Sequence, residues 1–152
     1  MENSLNTSKR KIKIYIADNT DFKDKFVTYI ENKDDFVICG YADDGQKAFI
    51  DICALKPDIV LLECVLPNLD GFVIMEKLTQ KLGSNMPKVI VVSSLSHEGF
   101  VSKAMSLGAA YFICKPTNLD IVEQRIIDVI GLENKKEERP KNRALEEKIS
   151  NI

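Results

Sequence analysis

Two carboxylates, a pair of hydroxyls and an amine each follow an apolar run in this sequence. "KIKIYIAD" (11–18) ends in Asp18, with Asn19 next, and "PDIVLLEC" (57–64) delivers Glu63. "PKVIVVSS" (87–94) ends in Ser93 and Ser94, and "AAYFIC" (109–114) leads into Lys115 and Pro116. Hard anionic oxygens suit Mg²⁺, while a cation and a hydroxyl suit phosphoryl oxygens. The groups lie far apart in sequence, so only a tertiary fold can gather them. Glu63 poses the sharpest problem. A carboxylate at the end of a buried strand is costly unless a cation faces it, and Lys115 is the candidate.

The elements between these groups alternate strand and helix. Ile12, Ile14 and Ile16 alternate in the first run, and Phe22, Phe26, Tyr29 and Ile30 then recur at helical spacing. "FVICGYA" is a β-branched run, followed by a helix placing Ala48, Ile52 and Leu55 on one face. "DGFVIMEKLTQKLG" and "EGFVSKAMSLG" read as helices closing on Gly83 and Gly108, and "NLDIVEQRIIDVI" as the last helix. Five βα units with nearly continuous Ile/Val/Leu strands predict an α/β protein, a doubly wound five-stranded parallel sheet covered on both faces. In such folds the functional crevice lies beyond the carboxyl ends of the strands, where the polar groups above must converge.

Composition narrows the function classes. The 152 residues suit one domain, and 45% hydrophobic with 29% charged residues can build a full core. A net charge of −2 lacks the basic footprint of a nucleic-acid binder. Cys39, Cys53, Cys64 and Cys114 show no CxxC spacing and read as small core residues of a cytoplasmic protein. No signal peptide or membrane-spanning run is expected. No phosphate-binding glycine loop and no Cys/His or Ser/His pair is present, and His97 reads as a surface residue, so no enzyme is expected.

The run of motifs resembles the receiver domain of bacterial two-component response regulators over residues 11–130. An acid follows strand one, "LPNLDG" follows strand three, a serine follows strand four and "YFICKP" closes strand five. The stretches "LGAAYFICKP" and "PDIVLLECVLPNLDGF" are most similar to receivers of sporulation regulators. The resemblance implies the (βα)5, flavodoxin-like receiver fold. It also implies a phosphoacceptor at position 63 and a metal site around Asp18, Asn19 and Glu63. It gives phosphoryl-contact and switch roles to Ser93, Phe112 and Lys115, and a peptide bond to Pro116 that is usually cis. The implied partners are a histidine kinase, a phosphotransfer protein or another regulator. A homodimer through the fourth helix, fifth strand and fifth helix is a further implication.

Two departures shift this reading. Glu63 stands where the family has aspartate, and its extra methylene displaces the carboxylate by about 1.3 Å. A misplacement of about 1 Å costs about 100-fold in reactions that depend on positioning, as phosphoryl transfer does. Asn19 removes one anion from the metal site, so Mg²⁺ binding is expected to be weak or absent. A degenerate receiver working without phosphorylation is the leading reading. A stand-alone module competing for a kinase or related regulator, and a receiver phosphorylated despite Glu63, are the alternatives. Whether Glu63 mimics the active state stays open. Plainer roles also fit: Asp18 as a helix cap, Ser93 and Ser94 as loop hydroxyls, Lys115 as a turn residue and Phe112 as core.

The ends differ from the middle. Residues 1–10 read as a disordered lead. Residues 131–152 carry six Lys/Arg and five Glu, and read as a charged linker broken by Pro140. A short helix is expected from about Asn142, similar to the start of an effector domain. DNA contact is therefore expected only through a domain outside this sequence.

Overall fold

The structure is a computed structural model and describes residues 10–138, with side chains described as far as residue 131. Its strands are β1 (Ile12–Ala17), β2 (Phe36–Ala42), β3 (Ile59–Leu62), β4 (Lys88–Ser93) and β5 (Tyr111–Cys114). The helices are α1 (Asp21–Ile30), α2 (Gly45–Leu55), α3 (Gly71–Leu82), α4 (Glu98–Ser106) and α5 (Leu119–Glu138). All strand pairs are parallel, in the order β2-β1-β3-β4-β5. The order reverses between β1 and β3, so a crevice opens at their carboxyl ends.

Strand alternation explains why the apolar runs are continuous. On β3, Ile59 and Leu61 face Phe22, Phe26, Ile30, Val122 and Ile126 of α1 and α5. Val60 and Leu62 face Ala48, Ile52, Ile74, Met75 and Leu78 of α2 and α3. All four β3 residues are buried, and each such side chain contributes about 1.5–3 kcal/mol on burial. A charged residue next in line therefore has no room to turn away.

The helices start where the sequence offers an acceptor. Thr20, Asp44 and Asp70 accept from the backbone N–H of Phe22, Lys47 and Val73. His97 caps α4, its ring nitrogen accepting from Gly99 N–H at 3.0 Å. Gly83 and Gly108 take the positive φ values, 56° and 104°, expected beyond the ends of α3 and α4.

Several expectations need correction. The last helix does not give way to a linker at Gly131 but runs on to Glu138. One helical glycine costs about 1 kcal/mol, and the Leu, Glu and Lys residues that follow are good helix formers that offset it. Cys114 is exposed, and Cys39 and Cys53 are only half-buried, so Cys64 alone of the four thiols is a core residue. Thr20, not Asp18, caps α1. The proposed lead over residues 1–10 falls almost wholly outside the described residues, as do Pro140 and the helix from Asn142. Among the described residues no helix is long and apolar enough to cross a membrane.

The loop after β3 is stapled to the start of α2. Gly45 N–H donates to the Pro67 carbonyl at 3.0 Å, and Asn68, at φ 70°, donates its amide to Asp44. A Cβ on Gly45 would sit 1.7 Å from the Leu69 carbonyl oxygen. Gly45→Ala should therefore lower the unfolding free energy by about 1–3 kcal/mol, measured by urea denaturation; an unchanged midpoint would show that the loop yields freely.

Candidate functional site

Backbone pairing aligns the ends of the strands before any side chain acts. Asp18 N–H donates to Ala42 carbonyl at 3.0 Å, Glu63 N–H to Ala17 carbonyl at 2.9 Å, and Lys115 N–H to Ser93 carbonyl at 2.9 Å. The ladder thus runs one residue past β1, β3 and β5. It brings the side chains of Asp18, Glu63, Ser93 and Lys115 into one cluster.

Lys115 Nζ lies at its centre. It donates to Asp18 Oδ2 at 2.6 Å, to Glu63 Oε1 at 2.9 Å and to Thr20 Oγ1 at 2.9 Å. Glu63 Oε2 accepts from Ser93 Oγ and from Val65 N–H at 3.1 Å. Asp18 Oδ1 accepts from Thr20 N–H at 2.7 Å and Thr20 Oγ1 at 2.6 Å. Both carboxylate side chains are 2% exposed and that of Lys115 is 12% exposed, so water contributes little. Two anions and one cation leave the cluster at −1. Burial of such charges is tolerable only because each is paired and hydrogen-bonded.

The other residues singled out in the sequence lie apart from this cluster. Asn19 and Ser94 are exposed, and no hydrogen bond of the cluster reaches either. Phe112 is half-buried and packs against the α2–α4 side of the core. Pro116 is exposed, and the Lys115–Pro116 bond is cis. Sequence reasoning missed Thr20, whose hydroxyl serves both Asp18 and Lys115; a threonine directly before a helical pattern was the available signal. It also missed the N–H groups of Val65 and Leu95, the latter donating to Ser93 Oγ at 3.2 Å. Backbone donors leave no mark in residue type.

The implied Mg²⁺ fits these residues poorly. The ion needs near-octahedral oxygen ligands at about 2.0–2.1 Å. Here every oxygen of Asp18 and Glu63 already accepts from an internal donor, and an ammonium sits between them. Among the described residues no group of three or more His, Cys, Asp or Glu could hold a metal.

Residues 14–127 match the response regulator receiver domain model, and the chain belongs to that family. Solved structures agree. The CheX–CheY–BeF3–Mg²⁺ complex from Borrelia burgdorferi is 30% identical at a TM-score of 0.70, covering 78% of this chain and 89% of that one. The response regulator domain of Thermotoga maritima CheB is 28% identical at 0.68, covering 81% and 96%. The receiver domain of the response regulator NarL from Mycobacterium tuberculosis, 24% identical at 0.72 and covering 79% and 96%, shows the shared fold. The predicted five-stranded receiver fold is thus the observed one.

Next to the cluster, burial pushes the Cys64 thiol up to about 11, opposed by its hydrogen-bonding contact with Ser93 and reinforced by the charges of Glu63 and Asp70. An ordinary thiol titrates near about 8.5. The native state therefore holds this proton more tightly than the unfolded chain does. The stability it contributes is present below pH about 8.5 and is lost as pH rises through about 11. Unfolding free energy of the natural chain should fall more steeply over that window than that of Cys64→Ala, as chemical denaturation at each pH will show; parallel curves would contradict the shift.

Proposed function

We propose that this chain is a receiver set by a permanent anion, Glu63, and that it acts without phosphorylation. One observation carries the reading: the Glu63 carboxylate is bonded at one oxygen to Lys115 and at the other to Ser93. These are the two positions to which the family resemblance gives contacts with a phosphoryl group. The longer side chain spans toward where that group would be installed. Mimicry is partial, because a carboxylate carries −1 and two oxygens against about −1.5 to −2 and three for a phosphoryl group.

The output is control of transcription through protein contacts or through an attached DNA-binding domain. The similarity of "LGAAYFICKP" and "PDIVLLECVLPNLDGF" to the receiver of stage 0 sporulation protein A supports a sporulation-type regulator. An attached domain would be reached through α5, which continues to Glu138. Partners are a histidine kinase, a phosphotransfer protein or another regulator. A homodimer would use α4, β5 and α5, where Phe100, Met105, Ile121 and Ile127 are exposed apolar residues.

Incubation with acetyl phosphate and Mg²⁺, followed by intact-mass measurement, tests the reading. The natural chain should show no phosphoryl adduct, whereas Glu63→Asp made together with Asn19→Asp restores both the family's acceptor and the missing anion of the metal set and should gain one. A stoichiometric adduct mapped to Glu63 of the natural chain would overturn it.

A further inference from the structure

The hydrogen bonds of the cluster are not merely numerous; they close on one another. Lys115 has three N–H donors, and all three are taken, by Asp18, Glu63 and Thr20. The four oxygens of the two carboxylates are likewise all taken, by Lys115, Thr20, Ser93 and Val65. Among the described residues no buried side-chain nitrogen or oxygen lacks a partner. We propose that the Lys115 ammonium is the resident cation of this site, and that by holding Asp18 and Glu63 together it excludes divalent metal.

The physical argument is one of charge and valence. A divalent ion reaching Asp18 and Glu63 must either displace the ammonium or bind beside it. Displacement breaks two short ion pairs and leaves a lysine charge with 12% side-chain exposure to find water. Binding beside it sets +2 against +1 within a few ångströms, where little solvent screens them. The third position of the implied metal set offers no compensating anion, because Asn19 is neutral and exposed. The single ammonium supplies two ion pairs and one hydroxyl contact from within the chain.

Two consequences follow. The natural chain's conformation and partner binding do not respond to Mg²⁺. The barrier to metal is Lys115 itself, so removing it leaves two facing carboxylates that invite a divalent ion. The inference rests on the permanent-anion reading for the role of Glu63, but it fails separately from it.

Mn²⁺ serves as the probe, its free ion counted by electron paramagnetic resonance against the natural chain, Lys115→Met and Lys115→Met/Asp18→Asn. The natural chain should leave Mn²⁺ free. Lys115→Met should bind it at least about tenfold more tightly, and the double variant should lose that gain. Amide spectra of the natural chain supply a test independent of how Lys115→Met folds: Thr20 and Val65 should not shift on adding Mg²⁺. Saturable Mg²⁺ shifts at these amides, or Mn²⁺ binding by the natural chain, would overturn exclusion. Equal Mn²⁺ binding by a folded Lys115→Met chain would overturn the assignment to Lys115. Metal binding with no phosphoryl adduct would sink this inference alone, whereas an adduct on Glu63 would sink the reading beneath it.

Discussion

Lys115 Nζ stands between two carboxylates that are almost wholly removed from water, 2.6 Å from Asp18 and 2.9 Å from Glu63. Neither anion is tolerable there alone, since an unpaired buried charge costs several kcal/mol. The constraint reaches outward through the sheet. Asp18 stands one residue past β1, Glu63 one past β3 and Lys115 one past β5, while Ser93 ends β4. The cluster thus ties four of the five strands at the same edge, and only the outer strand β2 contributes no side chain to it. The apolar strands and their backbone pairing fix where the charges lie, and the paired charges then link the strand ends.

The same reasoning explains which parts of the molecule were readable in advance. Alternating β and α patterns gave the strand order its elements, and the position of a polar residue after each apolar run gave Asp18, Glu63, Ser93 and Lys115. These follow from residue type and period alone. Thr20 was overlooked because its use depends on a lysine 95 residues away. Val65 and Leu95 act through their backbone N–H groups, so any residue type but proline would serve. Cys114 was misjudged because its neighbours are apolar, although the final residue of a strand at the crevice edge need not be covered. The run of α5 past Gly131 was missed because the residues after it are charged rather than apolar at helical spacing, although Leu, Glu and Lys are good helix formers.

The support around Glu63 also matters. Val65 presents its N–H to Glu63 Oε2 from a loop whose far end is held to α2 by Asn68 and Asp44. Burial of Glu63 is therefore matched by a donor in a loop that is itself hydrogen-bonded to the start of α2. A phosphoryl group that comes and goes would need donors able to serve two states. Here Lys115, Ser93 and Val65 all donate to the Glu63 carboxylate. On the reading proposed above, a permanent carboxylate stands there in place of a transient modification.

A double-mutant cycle between Glu63 and Lys115 tests the central claim most directly. The unfolding free energies of the natural chain, Glu63→Gln, Lys115→Met and the double variant give the interaction energy free of each residue's separate contributions. A coupled pair in contact gives about 0.5–3 kcal/mol; this account predicts the upper half of that range, with Lys115→Met the costlier single change because it strands two anions. Losses that simply add, to within about 0.3–0.5 kcal/mol, would mean that the ammonium and the Glu63 carboxylate do not hold one another, and the account would be contradicted.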